Sequence, residues 1–319
     1  MNDHKNPIGL YTDCLGDLKF EAMLDWCASH GLEAVELGTG NFSPAPHCSL
    51  AGLLESERAR SDFQAAIARR GLQLSALNCS GNVLDPDAGR RTASQRVLRE
   101  TIVLAAQLGL QTIVAMSGCP GEPGALNHYP NWVTSYWQKE YLELLEWQWT
   151  EAVEPFWREL GAFAAEQSVR VAIEMHPGQA VYNVRTLMRL RAAGGAAIGA
   201  NLDPSHLIWQ GMDSARVVLA LGKLVYNVHA KDCRLNANEV AVNGVLETHL
   251  ATPHAWDHCL PGDGQPETFW RGLSDALAQA GYRGPLTIEY AGDLADRSAG
   301  IEKAAEFLRR VRMTADGPR

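Results

Sequence analysis

The chain has 319 residues, 46% of them apolar, enough for one large α/β barrel or two ordinary domains with a full core. Its net charge of -9 disfavours nucleic acid, and the dense basic stretches at 58–60, 69–70, 90–99 and 309–312 fall in helix-like sequence, where they read as solvated faces. No run of about 18 apolar residues could span a membrane, the polar start is unlike a signal peptide, and seven scattered cysteines without a CxxC suggest reduced thiols and a cytoplasmic location.

In chain order, apolar runs rich in β-branched residues alternate with amphipathic stretches. Strands are predicted at 8–12, 34–37, 72–77, 112–116, 170–174, 197–202, 224–229 and 286–289. Helical patterns include 19–30, 58–70, 92–108, 151–166, 184–193, 214–221, 266–280 and 300–312. Gly31, Gly71, Gly109 and Gly281 stand where a helix would end on a left-handed residue. Eight alternations predict one (β/α)8 TIM barrel, class α/β, as a single domain over residues 1–319. A doubly wound open sheet is the alternative, but it would collect its site at one or two strand ends.

Two connections are too long to be plain loops, about 118–150 after the fourth strand and about 233–265 after the seventh. The first carries Tyr129, Trp132, Tyr136, Trp137, Tyr141, Trp147 and Trp149. Such rings either cover the C–H faces of a sugar or pack a lid or a subunit interface. Trp132 is the candidate for sugar contact.

The last four strands each end in an acid or a histidine: Glu174, Asp203, His229 and Glu289. The carboxyl ends of parallel barrel strands are where such a fold keeps its chemistry. Three carboxylates converging with an imidazole would repel one another unless a cation lay between them. That donor set favours one divalent metal, Mn²⁺ first and then Mg²⁺, Co²⁺ or Zn²⁺. Structural zinc would use cysteine more often. His206, three residues after Asp203, and Lys231, two after His229, are candidates to hold substrate oxygens. Asp232 is read either as a partner of Lys231, as a loop anchor, or as a ligand contact. His176 either lines the pocket or satisfies a backbone carbonyl.

These pieces, Ile173-Glu174, Asp203-Pro-Ser-His206, His229-Ala-Lys-Asp232, Gly262-Asp-Gly264 and Ile288-Glu289-Tyr, resemble the xylose-isomerase-like TIM-barrel superfamily of sugar isomerases, epimerases and inosose dehydratases. The resemblance spans about residues 7–312. From its ketose 3-epimerases it implies that Glu174, Asp203, His229 and Glu289 bind the metal. It also implies that Glu174 and Glu289 move protons on opposite faces of a keto-sugar or keto-glycoside through a metal-bound enediolate. A substrate-binding arginine would follow the histidine, and Arg234 is closest to that place.

The insert segments Met116-Ser-Gly-Cys-Pro-Gly121, Asn131-Trp132 and Glu146-Trp-Gln-Trp149 look similar to the large subunits of bacterial C-glycoside deglycosidases. That likeness implies a lyase on 3-keto C- or O-glycosides, a small β-sandwich partner subunit, and a histidine base after the fourth strand, for which His128 is the nearest candidate. Removing the proton at carbon 2 of a 3-keto sugar lets the carbon-1 substituent leave by β-elimination. Moving the carbon-4 proton to the other face epimerises the sugar. The expected ligand is therefore a small sugar or glycoside, with no nucleic acid or membrane, and with a homo-oligomer or small partner subunit as the assembly.

Three other readings fit less well. An endonuclease-IV-like repair nuclease needs histidines after strands two and three and an Asp-x-His pair. Here Leu77-Asn-Cys-Ser80 has no histidine, His47 lies far along its loop, and Asp257 and His258 are adjacent. For a two-metal xylose isomerase only Asp232, Asp257 and Asp263 remain as further carboxylates, at unsuitable spacing. A non-catalytic sugar-binding subunit would need the metal site to be lost.

Overall fold

The computed structural model describes residues 5–124, 129–134, 137–246 and 252–312, apart from the side chain of Leu294. Eight parallel strands close a barrel: β1 Ile8–Tyr11, β2 Ala34–Gly38, β3 Gln73–Asn78, β4 Thr112–Met116, β5 Arg170–Glu174, β6 Ile198–Leu202, β7 Val225–Ala230 and β10 Leu286–Ile288. The order around it is β1-β10-β7-β6-β5-β4-β3-β2. Two further strands, β8 Asp232–Leu235 and β9 Trp256–Cys259, form an antiparallel hairpin outside the barrel, with Cys233 opposite His258. The predicted barrel strands agree with these to within a residue or so at each end.

The strands read as nearly continuous apolar runs because helices cover their outer faces. The main core lies between strands and helices and includes Ile8, Leu10, Leu77, Ile113, Ile173 and Leu202. Each such side chain removed from water is worth about 1.5–3 kcal/mol. A separate apolar cluster of Ala76, Val114 and Ala172, capped by Tyr226, forms apart from that shell. Gly31, Gly71, Gly109 and Gly281 adopt φ values of 66°, 69°, 70° and 82°, as helix-ending residues should. The helices Glu154–Glu166 and Val184–Gly194 come closest at Gly161, where a Cβ would lie 1.8 Å from the Gly194 carbonyl oxygen.

Both long connections carry structure of their own. After β4 a helix, Lys139–Trp147, runs through a π-helical turn, Gln148–Val153, directly into Glu154–Glu166. Gln148 pins the insert by donating to the carbonyls of Gly121 (2.9 Å) and Asn131 (2.7 Å). After β7 the β8–β9 hairpin encloses the helix Ala237–Asn243. All seven cysteines are free. Among the described residues no helix is long and apolar enough to cross a membrane.

Candidate active site

Alternation along a strand decides which side chains enter the barrel. In β7 and just beyond it, Asn227, His229 and Lys231 share one face; at the end of β6, Asn201 and Asp203 do the same. Glu174 closes β5, and Glu289 follows β10. One donor atom from each of Glu174, Asp203, His229 and Glu289 lies within 4.8 Å of the others. Glu174, Asp203 and His229 are buried, and the Glu289 side chain, 26% exposed, is the most open of the four.

The turn after β6 sets the next contact. Asp203 caps the short helix Pro204–Ile208, its Oδ1 accepting from the Ser205 amide at 2.9 Å, with Pro204 as the first helical residue. This brings His206 back under the acids, with Nε2 3.1 Å from Glu174 Oε1 and 3.3 Å from Asp203 Oδ2. Lys231 Nζ bridges Asp203 Oδ2 (2.8 Å) and Glu289 Oε1 (2.9 Å).

His229 is oriented by an acid the sequence reading passed over. Glu36, in β2, lies 2.8 Å from His229 Nε2 through Oε1. The same carboxylate accepts from Asn78 at 2.8 Å and Asn227 at 3.0 Å, and Asn227 also donates to Asn201 at 3.0 Å. With Nε2 held by Glu36, Nδ1 faces the acids, 3.0 Å from Glu289 Oε2. A carboxylate behind a histidine fixes the tautomer and makes the ligating nitrogen more basic.

The residues fit a metal on two further counts. Asp203 Oδ2 and Glu289 Oε2 are buried acceptors that receive no well-aligned hydrogen bond, although cationic nitrogens stand close to them. The set of three carboxylates and one imidazole also suits a borderline-to-hard divalent ion. Glu174, Asp203, His229 and Glu289 would hold it.

The electrostatics divide the two glutamates. Burial, then repulsion from Glu289, pushes Glu174 above the usual carboxylate range. Burial also acts to raise Glu289, but Lys231 and His229 outweigh it and hold that carboxyl well below the usual range. His229 is raised despite its burial, chiefly by Glu36 and Glu289, and burial pushes His206 down to about 4. Paired groups with opposed shifts are how a site divides acid from base roles.

The cavity over this cluster measures about 230 Å³ and is also lined by Tyr11, Asp13, Phe42, Ser80 and His176. His176 stands with its ring centroid 3.9 Å from that of His206, so it lines the pocket while also contacting the Pro177 carbonyl. Asp232 is a loop anchor. Its Oδ2 accepts from the amides of Gly262, Gly264 and Gln265 and from Trp270 Nε1 at 2.9–3.2 Å, and Oδ1 from the Cys233 amide at 2.7 Å. This explains the Gly262-Asp-Gly264 motif, since a Cβ at Gly264 would lie 2.4 Å from the Cys233 carbonyl oxygen.

Two expected substrate contacts fall elsewhere. Arg234 shares the Asp232 face of the hairpin, which turns toward the 262–265 loop, so its exposed guanidinium donates to the Asp263 carbonyl at 3.3 Å and does not line the cavity. Trp132 packs edge-on against Tyr182 at 5.4 Å beside Trp149, in a separate apolar crevice of about 50 Å³. His128 lies outside the described residues. Besides Glu36, the site contains His258, brought by β9 to 5.0 Å from the His206 ring. A polar residue inside an otherwise apolar strand, as at Glu36, Asn201 and Asn227, was the available signal. His258 lies on a hairpin with no apolar alternation to announce it.

The sequence profile of the xylose isomerase-like TIM barrel family matches residues 24–311, and the chain belongs to that family. The Bacillus subtilis (strain 168) protein YfiH, itself uncharacterized, is 39% identical over 307 residues, covering 94% of this chain and 97% of its own. The fold is also similar to that of D-psicose 3-epimerase crystallised in the presence of D-fructose (TM-score 0.58, 16% identity, 96% of this chain and 99% of that one). The IOLI protein with a bound zinc atom gives a TM-score of 0.63 at 17% identity, covering 96% of both chains. At these identities the likeness of the two structures is one of fold.

Proposed function

We propose that this chain is a divalent-metal-dependent isomerase or epimerase of a keto-sugar or keto-glycoside, moving a proton at a carbon next to a carbonyl. The observation that carries this reading is geometric: Glu174 and Glu289 line one cavity, and a donor atom of each lies within 4.8 Å of one from Asp203 and one from His229. Glu289, held ionised and open to the cavity, takes the proton. Glu174, lining the same cavity, returns one. Lys231 and His206 stand against these acids, where they would donate to oxygens that gain negative charge. A divalent cation held by the four ligands would polarise the carbonyl and make the adjacent C–H more acidic. Mn²⁺ is the first choice, and Zn²⁺ gains support from the zinc bound to the IOLI protein of like fold.

The lyase alternative shares the first proton transfer and differs in whether the carbon-1 substituent then leaves. The strand-4 insert keeps Tyr129 (75%) and Trp137 (85%) exposed, and a second copy or a small β-sandwich subunit would sit there. The test follows the metal-loaded protein by NMR in D₂O, with a free ketose and a 3-keto-glucoside as parallel substrates. Deuterium entering the ring with an inverted centre and an intact glycosidic bond is the expected result. Release of the aglycone would establish the lyase. No exchange with either substrate, despite bound metal, would sink the reading.

A further inference from the structure

The wall of the cavity formed by β1, β2 and β3 supplies none of the four clustered metal donors. Asp13 stands there in the turn Thr12–Leu15 that follows β1. Tyr11, stacked on the His229 ring at 6.1 Å with an interplanar angle of 8°, donates its hydroxyl to Asp13 Oδ2 at 2.8 Å. The other oxygen, Oδ1, is buried and has no partner, and neither has the hydroxyl of Ser80. Both residues line the cavity. Gly38, at the end of β2, keeps the space clear: a Cβ there would lie 2.8 Å from Asp13 Oδ1 and 1.9 Å from Ser43 Oγ.

An ionised carboxylate can only accept, so Oδ1 requires a donor. A buried acceptor without one is costly to leave, which makes it a strong selector for a ligand that supplies the donor. The charges of the cavity narrow the choice further. A divalent ion and Lys231 together would offset Glu174, Asp203 and Glu289, which leaves Asp13 as the uncompensated charge of the lining, and the single ammonium among the lining residues, Lys231, is already placed between Asp203 and Glu289. Among the described residues no arginine lines it. Phosphate and carboxylate groups are ordinarily held by forked guanidinium or free ammonium donors.

We propose that Asp13, with Ser80, is the specificity-determining group of this cavity, reading hydroxyls on a neutral polyhydroxylated sugar and rejecting its phosphorylated or carboxylate-bearing counterpart. The inference rests on the sugar-processing reading above and names the substrate class.

The test is equilibrium binding to the metal-loaded full chain, by calorimetry and saturation-transfer NMR. The probes are a free ketohexose and a 3-keto-glucoside, each alongside its 6-phosphate and 6-carboxylate counterparts. The neutral member of at least one set should bind about tenfold or more tighter than its anionic counterparts. Asp13→Asn should weaken the neutral ligand about tenfold and narrow that discrimination, with metal content unchanged, and Ser80→Ala should cost about threefold. Anionic sugars binding as tightly as neutral ones would overturn the proposal, as would an Asp13→Asn protein that discriminates like wild type, or no binding by any member. The wild-type preference decides the matter alone should Asp13→Asn lose its fold. Solvent exchange scores the reaction separately. A neutral preference without exchange would sink the isomerase reading and leave Asp13 standing, while exchange into a tightly bound anionic sugar would do the reverse.

Discussion

At the amino-terminal mouth of the barrel a cavity of about 570 Å³ is ringed by Gln73, Gln111, Arg170, Lys223 and Arg283, with no acid among its lining residues. At the carboxyl mouth the cavity is about 230 Å³ and is built on Glu174, Glu289, His206 and Lys231. The larger opening has its polar groups settled. Arg170 lies over the Tyr226 ring at 4.8 Å and donates to Thr112 at 3.2 Å, Ser75 donates to the Val35 carbonyl, and Tyr282 to that of Pro285. None of its lining side chains holds a buried unpaired atom, whereas the smaller cavity presents Asp13 Oδ1, Ser80 Oγ and Glu289 Oε2. Unmet hydrogen-bonding capacity in a confined space, more than volume, distinguishes the mouth built for a ligand.

The largest effect should separate the two mouths outright. Glu289→Gln removes the carboxylate proposed to take the proton, and solvent exchange into a substrate carbon should fall by about 10²–10⁴-fold, with metal still detectable. Asp203→Ala should lose stoichiometric metal, measured by plasma emission after gel filtration. Arg170→Gln and Lys223→Gln, at the other mouth, should leave exchange within about twofold, because exposed side chains away from such features are near neutral. Full activity in Glu289→Gln would remove it from the acid–base pair.

Lys231 offers the next contrast, since its buried ammonium holds two carboxylates in the metal-free site. Lys231→Met leaves Asp203 and Glu289 without that counter-charge, and removing one partner of a buried ion pair costs about 3–5 kcal/mol. The metal-free variant should melt well below wild type, and added divalent metal should recover part of the loss by linkage. An unchanged melting temperature without metal would show that the ammonium does not hold the site together. Glu36→Gln should act more gently, weakening metal binding by about 10–100-fold, as read by competition with a chromophoric chelator. Unaltered affinity would reduce Glu36 to a packing group.

That Glu36 emerged only from the structure marks how far the sequence is legible. The barrel could be read because strands covered on both faces are written as apolar runs, and alternation with helical patterns leaves few topologies. The clustering of Glu174, Asp203, His229 and Glu289 could be read because each stands at the end of such a run. Glu36 stands inside its run, two residues before the end of β2, and its role depends on Asn227 and His229 lying almost two hundred positions away. The β8–β9 hairpin was hidden because Asp232–Leu235 and Trp256–Cys259 lack an apolar alternation. The placing of Arg234 against the Asp263 carbonyl is hidden for the same reason, since the face a hairpin residue takes depends on a register that the sequence does not display. The insert's helix begins at Lys139 and continues through the π turn, where a start at Glu151 was expected.

The smallest effect belongs to His258 and concerns acid stability. Burial, with a lesser contribution from Lys231, pushes its imidazole down to about 4, and its Nδ1 is buried without a partner. The unfolded chain binds this proton near the ordinary histidine value of about 6.5. Between those two values the unfolded state therefore carries more of the proton than the folded state, and stability falls as pH falls. The contribution is whole above about pH 6.5 and is gone below about pH 4. Because the side chain is only partly buried, its size is about 1–3 kcal/mol. His258→Gln should flatten that part of the profile in the metal-free protein, measured as the urea midpoint at pH 7, 5.5 and 4.5. The site's carboxylates contribute to both proteins, so the difference between the two profiles isolates the histidine. A Lys223→Gln control, altering the basic mouth, should keep the wild-type slope. If His258→Gln loses as much midpoint as wild type over this range, its imidazole titrates freely, and the packing of β9 against His206 is looser than the 5.0 Å ring contact implies.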